Sequence, residues 1–209
     1  MDMIAIFSAA FITLFVIVDP LGSSSVYAAL TAKMPEKDAQ KIAVRACVIA
    51  STVLVLFGVF GFWILKSLHI SLAAFRTTGG LLLFVTAFRM VMGSHDPDQV
   101  NSENGVYKDK SAIAVFPLAI PLLAGPGCMT AVLLLVTDAS VTSFMHKLII
   151  FAAIVSVEII AFIAMMGAQR IVRYMGETGS SILSRIMGIL LAAMAIQFAA
   201  DGILELIRT

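Results

Sequence analysis

"AIPLLAGPGCMT", residues 119–130, sets Pro121, Gly125, Pro126 and Gly127 inside a stretch that is apolar on both sides. Proline removes a backbone donor and clashes with the preceding turn, and glycine tolerates the dihedrals of unwound chain. A helix that runs through these residues is therefore expected to break. In hydrocarbon the freed N–H and C=O groups are costly unless surrounding protein or a wet cavity receives them.

Composition makes hydrocarbon the expected surroundings. Hydrophobic residues are 60% of the 209 and charged residues 13%, against roughly 45–50% and 25% in soluble domains. Mean hydropathy is +1.03, the range of an integral membrane protein. The chain carries 14 Lys and Arg against 13 Asp and Glu and has no basic patch interleaved with aromatics, so nucleic acid is not an expected partner. Cys47 and Cys128 lie in apolar segments without a CxxC pair and read as small packing residues. The N-terminus opens on Asp2 in place of positive charge and lacks a small-residue cleavage pattern, so it reads as a retained first helix.

Spanning a bilayer takes about 20 mostly apolar residues. Six stretches qualify: 4–31, 41–65, 71–92, 112–137, 146–170 and 181–206. The polar run "GSHDPDQVNSENGVYKDK" separates the third from the fourth, giving one transmembrane domain, 1–209, built of repeat one (1–93), a loop (94–110) and repeat two (111–209). With both termini outside, the cytoplasmic flanks hold Lys33, Lys37, Lys41, Arg45, Arg89, Lys108, Lys110, Arg170, Arg173 and Arg185, and the outer flanks only Lys66, Arg76, Lys147 and Arg208. Positive charge accumulates inside. The expectation is a multi-pass protein of the cell (inner) membrane, N- and C-termini outside and loop 94–110 cytoplasmic.

The two halves resemble each other. At an offset of 106, Pro20 lies over Pro126, Lys41 over Lys147 and Gly61 over Gly167; at 109, "RTTGGLL" (76–82) lies over "RIMGILL" (185–191). Three helices per half is an odd number, so the second half crosses in the opposite sense. Inverted repeats of this kind are a transporter architecture, with the substrate near the midplane between discontinuous helices. The expected fold is all-α, six transmembrane helices in two inverted three-helix repeats, helices 1 and 4 broken near the midplane.

The counterpart of "LLAGPGCM" is "FVIVDPLGSSS", residues 15–25. The half-helices after the breaks begin at Gly22, Ser23, Ser24 and at Gly127, Cys128, Met129, Thr130. Their free N–H groups suit a carboxylate. The carbonyls that end the preceding half-helices, near Val18 and Ala124, suit an ammonium group or a cation. A small zwitterion satisfies both sets. Candidate binding residues are thus Asp19, Pro20, Gly22, Ser23, Ser24, Gly125, Pro126, Gly127, Cys128 and Thr130.

An ionisable group deep in a membrane costs at least ~3 kcal/mol and reads as functional by default. Asp19 is either an N-cap on the half-helix that Pro20 starts or a substrate or proton site, and these roles are compatible. Glu158, midway along helix 5, reads as a proton carrier or the partner of an Arg. Arg76 and Arg185 sit a turn inside their helices, where snorkelling or a gating ion pair explains them, and Arg89 reads as an anchor. Gly79, Gly80 and Gly188, with Thr77 and Thr78, form a small-residue face for close helix packing. The 12 Met residues are scattered without ligand spacing. No GxxxxGK[ST], His/Cys cluster or obvious nucleophile is present, and Asp201 is a poor second acid for an intramembrane protease, so an enzyme is not expected.

"DPLG" in helix 1, "RTTGGLLLFVTAFRM" in helix 3 and "AVFPLAIPLLAGPG" opening helix 4 make the chain resemble the MarC family of integral membrane proteins. The resemblance covers nearly the whole chain and implies six helices, a bacterial or archaeal inner-membrane location and, through one archaeal member, transport of neutral amino acids. The chain departs from the family at "SSSVYAA" after the first motif, where many members have Asn and then Pro, and at Cys128, where a small aliphatic is usual. The function expected is a gradient-coupled secondary transporter of small neutral amino acids (glycine, alanine or serine), working by alternating access. It needs no cofactor or metal beyond a coupling ion, H+ or Na+. Exporters or facilitators of other small metabolites, and a non-transporting membrane subunit, are the alternatives. Lipid-facing Gly and Ala allow a homodimer.

Overall fold

A computed structural model describes residues 3–31, 34–92, 113–138, 141 and 143–208. These residues are helical and turn, with no strand among them. Eight helical elements follow one another: α1 (Met3–Val18), α2 (Pro20–Thr31), α3 (Glu36–Ser67), α4 (Leu72–Met92), α5 (Ala114–Leu123), α6 (Pro126–Thr137), α7 (Phe144–Met166) and α8 (Ala168–Arg208). Loop 94–110, where the cytoplasmic connection is expected, lies outside the described residues.

Met3–Ala28, Glu36–Ser67, Leu72–Met92, Phe144–Met166 and Arg185–Arg208 are each long and apolar enough to cross a bilayer. The remaining expected span, 112–137, is divided into α5 and α6, each too short to cross alone. Outward faces carry Val48, Leu56, Phe60, Trp63, Leu82, Phe88, Ile159 and Ile196, all exposed. Apolar surface of this extent calls for lipid as its solvent.

Two boundaries differ from the sequence reading. α3 begins at Glu36, five residues before the expected start, because Glu36 and Asp38 in its first turn favour the positive helix end although they are polar. Gly167 ends α7, and helix resumes at Ala168 and runs through 171–180, the stretch between the fifth and sixth expected spans. That segment is polar but contains no proline, so nothing in it stops a helix.

α4 and α8 make the closest pair. A Cβ at Gly80 would lie 2.6 Å from Ala199 N and 2.7 Å from Ala195 O, and one at Gly188 would lie 2.9 Å from Met90 Cβ and 3.2 Å from Ala87 O. Gly202 in turn abuts Ala73 O and Thr77. α4 therefore ascends as α8 descends, an antiparallel pair whose backbones touch through glycine. Elsewhere α1 and α2 pack on α7, while α5 and α6 pack on α3; α2 reaches α8, while α6 reaches α4. Two contacts of the first broken helix with the second half, α1–α2 on α7 and α2 on α8, thus have partners in α5–α6 on α3 and α6 on α4, while α1 on α8 has none among the described contacts.

Candidate functional site

The first break is at Asp19, whose φ of 44° is left-handed. Short polar side chains tolerate that region better than other non-glycine residues. Its backbone N–H still donates to Phe15 O at 3.1 Å, and its O accepts from Ser23 N at 2.9 Å, so the chain turns a corner without losing either bond. Pro20 starts α2, where its missing N–H costs nothing. Asp19 Oδ1 accepts from Gly22 N–H at 3.1 Å, the bond of an N-cap to the third helical residue. The carboxylate packs flush on Gly22, where any Cβ would collide with it. Ser23 Oγ donates to Val18 O at 2.8 Å and Ser24 Oγ to Leu21 O at 2.7 Å, both from buried positions. A fixed anion therefore already sits on the positive end of α2.

The second break is built differently. Phe116 (φ −130°, ψ 127°) and Ile120 (φ −128°, ψ 121°) are extended inside α5, and each precedes a proline. Proline pushes the residue before it out of the helical region. This explains Pro121, the proline without a counterpart in the first half: with Pro117 it opens α5 into wide turns, closed by Ala124 N donating to Ala119 O at 2.8 Å. Gly125 (φ −70°, ψ 169°) then precedes α6 with Pro126 in its first turn, and no side chain caps that helix. Thr130 Oγ1 donates to Pro126 O at 2.9 Å. Gly127 and Cys128 are the non-proline residues of the first turn, and their N–H groups face an end that lacks a built-in anion.

The broken helices lie side by side. α1 packs on α6 and α2 on α5, the crossed pairing of antiparallel broken helices. Val16, Ile17 and Val18 share a core with Leu123, Ala124 and Cys128. Asp19 and Gly22 keep partial exposure and Pro126 is exposed, while Pro20, Gly125 and Gly127 are buried, so each break is reachable from outside the core. α4 backs the second break: Leu83 fills the space over Gly127 and Thr130 fills that over Gly79.

Glu158 lies on α7 and is 2% exposed. Five polar or charged side chains are buried among the described residues: Ser23, Ser24, Thr31, Thr130 and Glu158. The four hydroxyls all donate to backbone carbonyls. Neither carboxylate oxygen of Glu158 has a hydrogen-bond partner. The Cys47 thiol of α3 lies against the carboxylate without a well-formed bond, and the Cys128 thiol in the first turn of α6 is within its electrostatic reach. Sequence reasoning treated both cysteines as packing residues. Cys47 beside Glu158 joins α3 to α7, and no local pattern announces it.

The arginines stand apart from this centre. Arg76 Nη1 is 3.8 Å from Glu205 Oε2, an ion pair between α4 and α8. Arg185 is exposed on α8, and neither Arg reaches Glu158. Gly79, Gly80 and Gly188 are buried at helix contacts. No group of three or more His, Cys, Asp or Glu among the described residues could hold a metal ion.

Residues 4–207 match the family described as MarC family integral membrane protein. A UPF0056 membrane protein of Methanocaldococcus jannaschii is 35% identical, over 94% of this chain and 95% of the relative. One from Archaeoglobus fulgidus is 34% identical, over 97% and 94%, and YvbG of Bacillus subtilis 29%, over 92% of each. No solved structure matches.

Proposed function

The chain belongs to the MarC family of integral membrane proteins, and from that premise and the two breaks we propose that it is a secondary transporter of small neutral amino acids. The observation that carries this reading is the pair of facing breaks with unlike ends. Asp19 already occupies the N-terminus of α2, whereas α6 begins uncapped. A zwitterion fits one way round: its carboxylate on the N–H groups of Gly127 and Cys128, its ammonium toward Asp19. This sharpens the sequence reading, which offered both helix ends to the carboxylate. Glycine, alanine and serine are the expected substrates in this reading.

The exchanged contacts of α1–α2 with α7 and α5–α6 with α3 support an inverted repeat of six spans, 1–93 against 111–209. In this reading the two repeats rock about the breaks, driven by an ion gradient across the inner membrane. Exposed Ala193 and Ala200 on α8 offer a second copy a close approach.

Purified protein in liposomes, given labelled alanine and an imposed ion gradient, tests the proposal. Gradient-dependent accumulation that excess glycine or serine competes away is the expected result. Absence of movement for every small neutral amino acid would overturn it.

A further inference from the structure

We infer that Glu158 is the proton carrier of the transport cycle, so that the driving ion is H+ and not Na+. The inference rests on the transporter reading and identifies its coupling residue. Three observations meet in it. The side chain is buried and both carboxylate oxygens lack partners, in a set where every other buried polar side chain is bonded. An ionised carboxylate left so would bear the full cost of desolvation, which a bound proton removes. Na+ is a hard cation that needs a shell of oxygens, and no group of three or more His, Cys, Asp or Glu among the described residues gathers at Glu158 to supply one. The neighbour of Glu158 is the Cys47 thiol on α3.

The third observation is position. α7, which carries Glu158, packs on α6, and Glu158 is within electrostatic reach of Cys128 in the uncapped first turn of that helix, the end proposed to receive the substrate carboxylate. Three charged groups of the packed elements among the described residues are engaged or turned away. Asp19 Oδ1 caps Gly22, Arg45 is exposed on a different face of α3 from Cys47, and Asp201 of α8 accepts from Gln197. A substrate carboxylate at α6 and an ionised Glu158 would repel each other, so loading favours the protonated acid. When the repeats rock and water enters, the Glu158 O–H bond breaks, its electron pair stays on the carboxylate and the proton leaves to water. The acid is reprotonated from the opposite side before the next loading, one proton per cycle.

Two measurements test this. In liposomes, a pH difference of about one unit should sustain about tenfold alanine accumulation by the unmodified protein at one proton per solute. E158Q, which keeps shape and neutrality, should exchange alanine in counterflow yet accumulate none, and E158D should recover part of the accumulation. Infrared spectroscopy of the purified protein supplies a readout that does not depend on transport: a protonated-carboxyl stretch at neutral pH, lost in E158Q. Accumulation by E158Q equal to the unmodified protein, accumulation driven by Na+ at clamped pH, or no such stretch in the unmodified protein would each overturn the inference. Failure of the unmodified protein to move any amino acid sinks the transporter reading and the coupling role with it, while the infrared band still reports whether Glu158 holds a proton.

Discussion

At Asp19 one residue carries two separable jobs, a left-handed corner with its cap and a negative charge beside the proposed site. Asparagine can do the first but not the second, since it caps as well as aspartate and tolerates positive φ. D19N should therefore unfold within about 0.5 kcal/mol of the unmodified protein, whereas D19A should lose about 0.5–2 kcal/mol, the worth of a cap. Both should weaken alanine binding by at least about tenfold if the ammonium meets this charge. Thermal unfolding in detergent with and without alanine separates the two jobs, and D19N with full affinity would remove Asp19 from the site. Gly22 is tied to the same cap, because a methyl there meets the Asp19 carboxylate. G22A should resemble D19A in stability. By contrast the Arg76–Glu205 pair, 30% and 51% exposed at its side chains, is worth at most about 1 kcal/mol.

Helix contacts distinguish residues that hold the bundle from residues that shape the site. Gly80 meets backbone atoms of α8, which cannot swing aside as a side chain can, so G80V should overpack the α4–α8 seam and cost about 1–3 kcal/mol in detergent melts. Gly79 meets the Thr130 side chain in the first turns of α6, so G79A should displace that turn and lower alanine uptake more than it lowers the melting temperature. Equal losses in both variants would argue against this division. Much of this was legible in the sequence, because proline and glycine act locally: "DPLG" and "LLAGPG" marked both breaks, and "RTTGG" marked a packing face. Partners were not legible. Nothing near residue 79 names Thr130, and nothing near Glu158 names Cys47, since these meetings depend on how distant helices pack. Helix ends were misread for the opposite reason: α3 and α8 run on past their apolar stretches, and polarity alone does not stop a helix.

Over the whole molecule, charge and packing bear on different questions. Helix packing does not tell one membrane face from the other, which leaves the direction of insertion to the flanking charges. Ten of the 14 Lys and Arg fall on one side in the arrangement with both termini outside. Positive flanks stay cytoplasmic, so the turn between α3 and α4 should face outward and loop 94–110 inward. His69 is exposed in that turn, and Cys47 and Cys128 are both buried, so the native thiols leave little background for a labelling test. In intact cells a membrane-impermeant maleimide should label H69C and spare S102C; once the inner membrane is permeabilised, S102C should label as well. The reverse pattern would invert the molecule. It would also move the Arg76–Glu205 pair from the outer to the inner end of the α4–α8 seam.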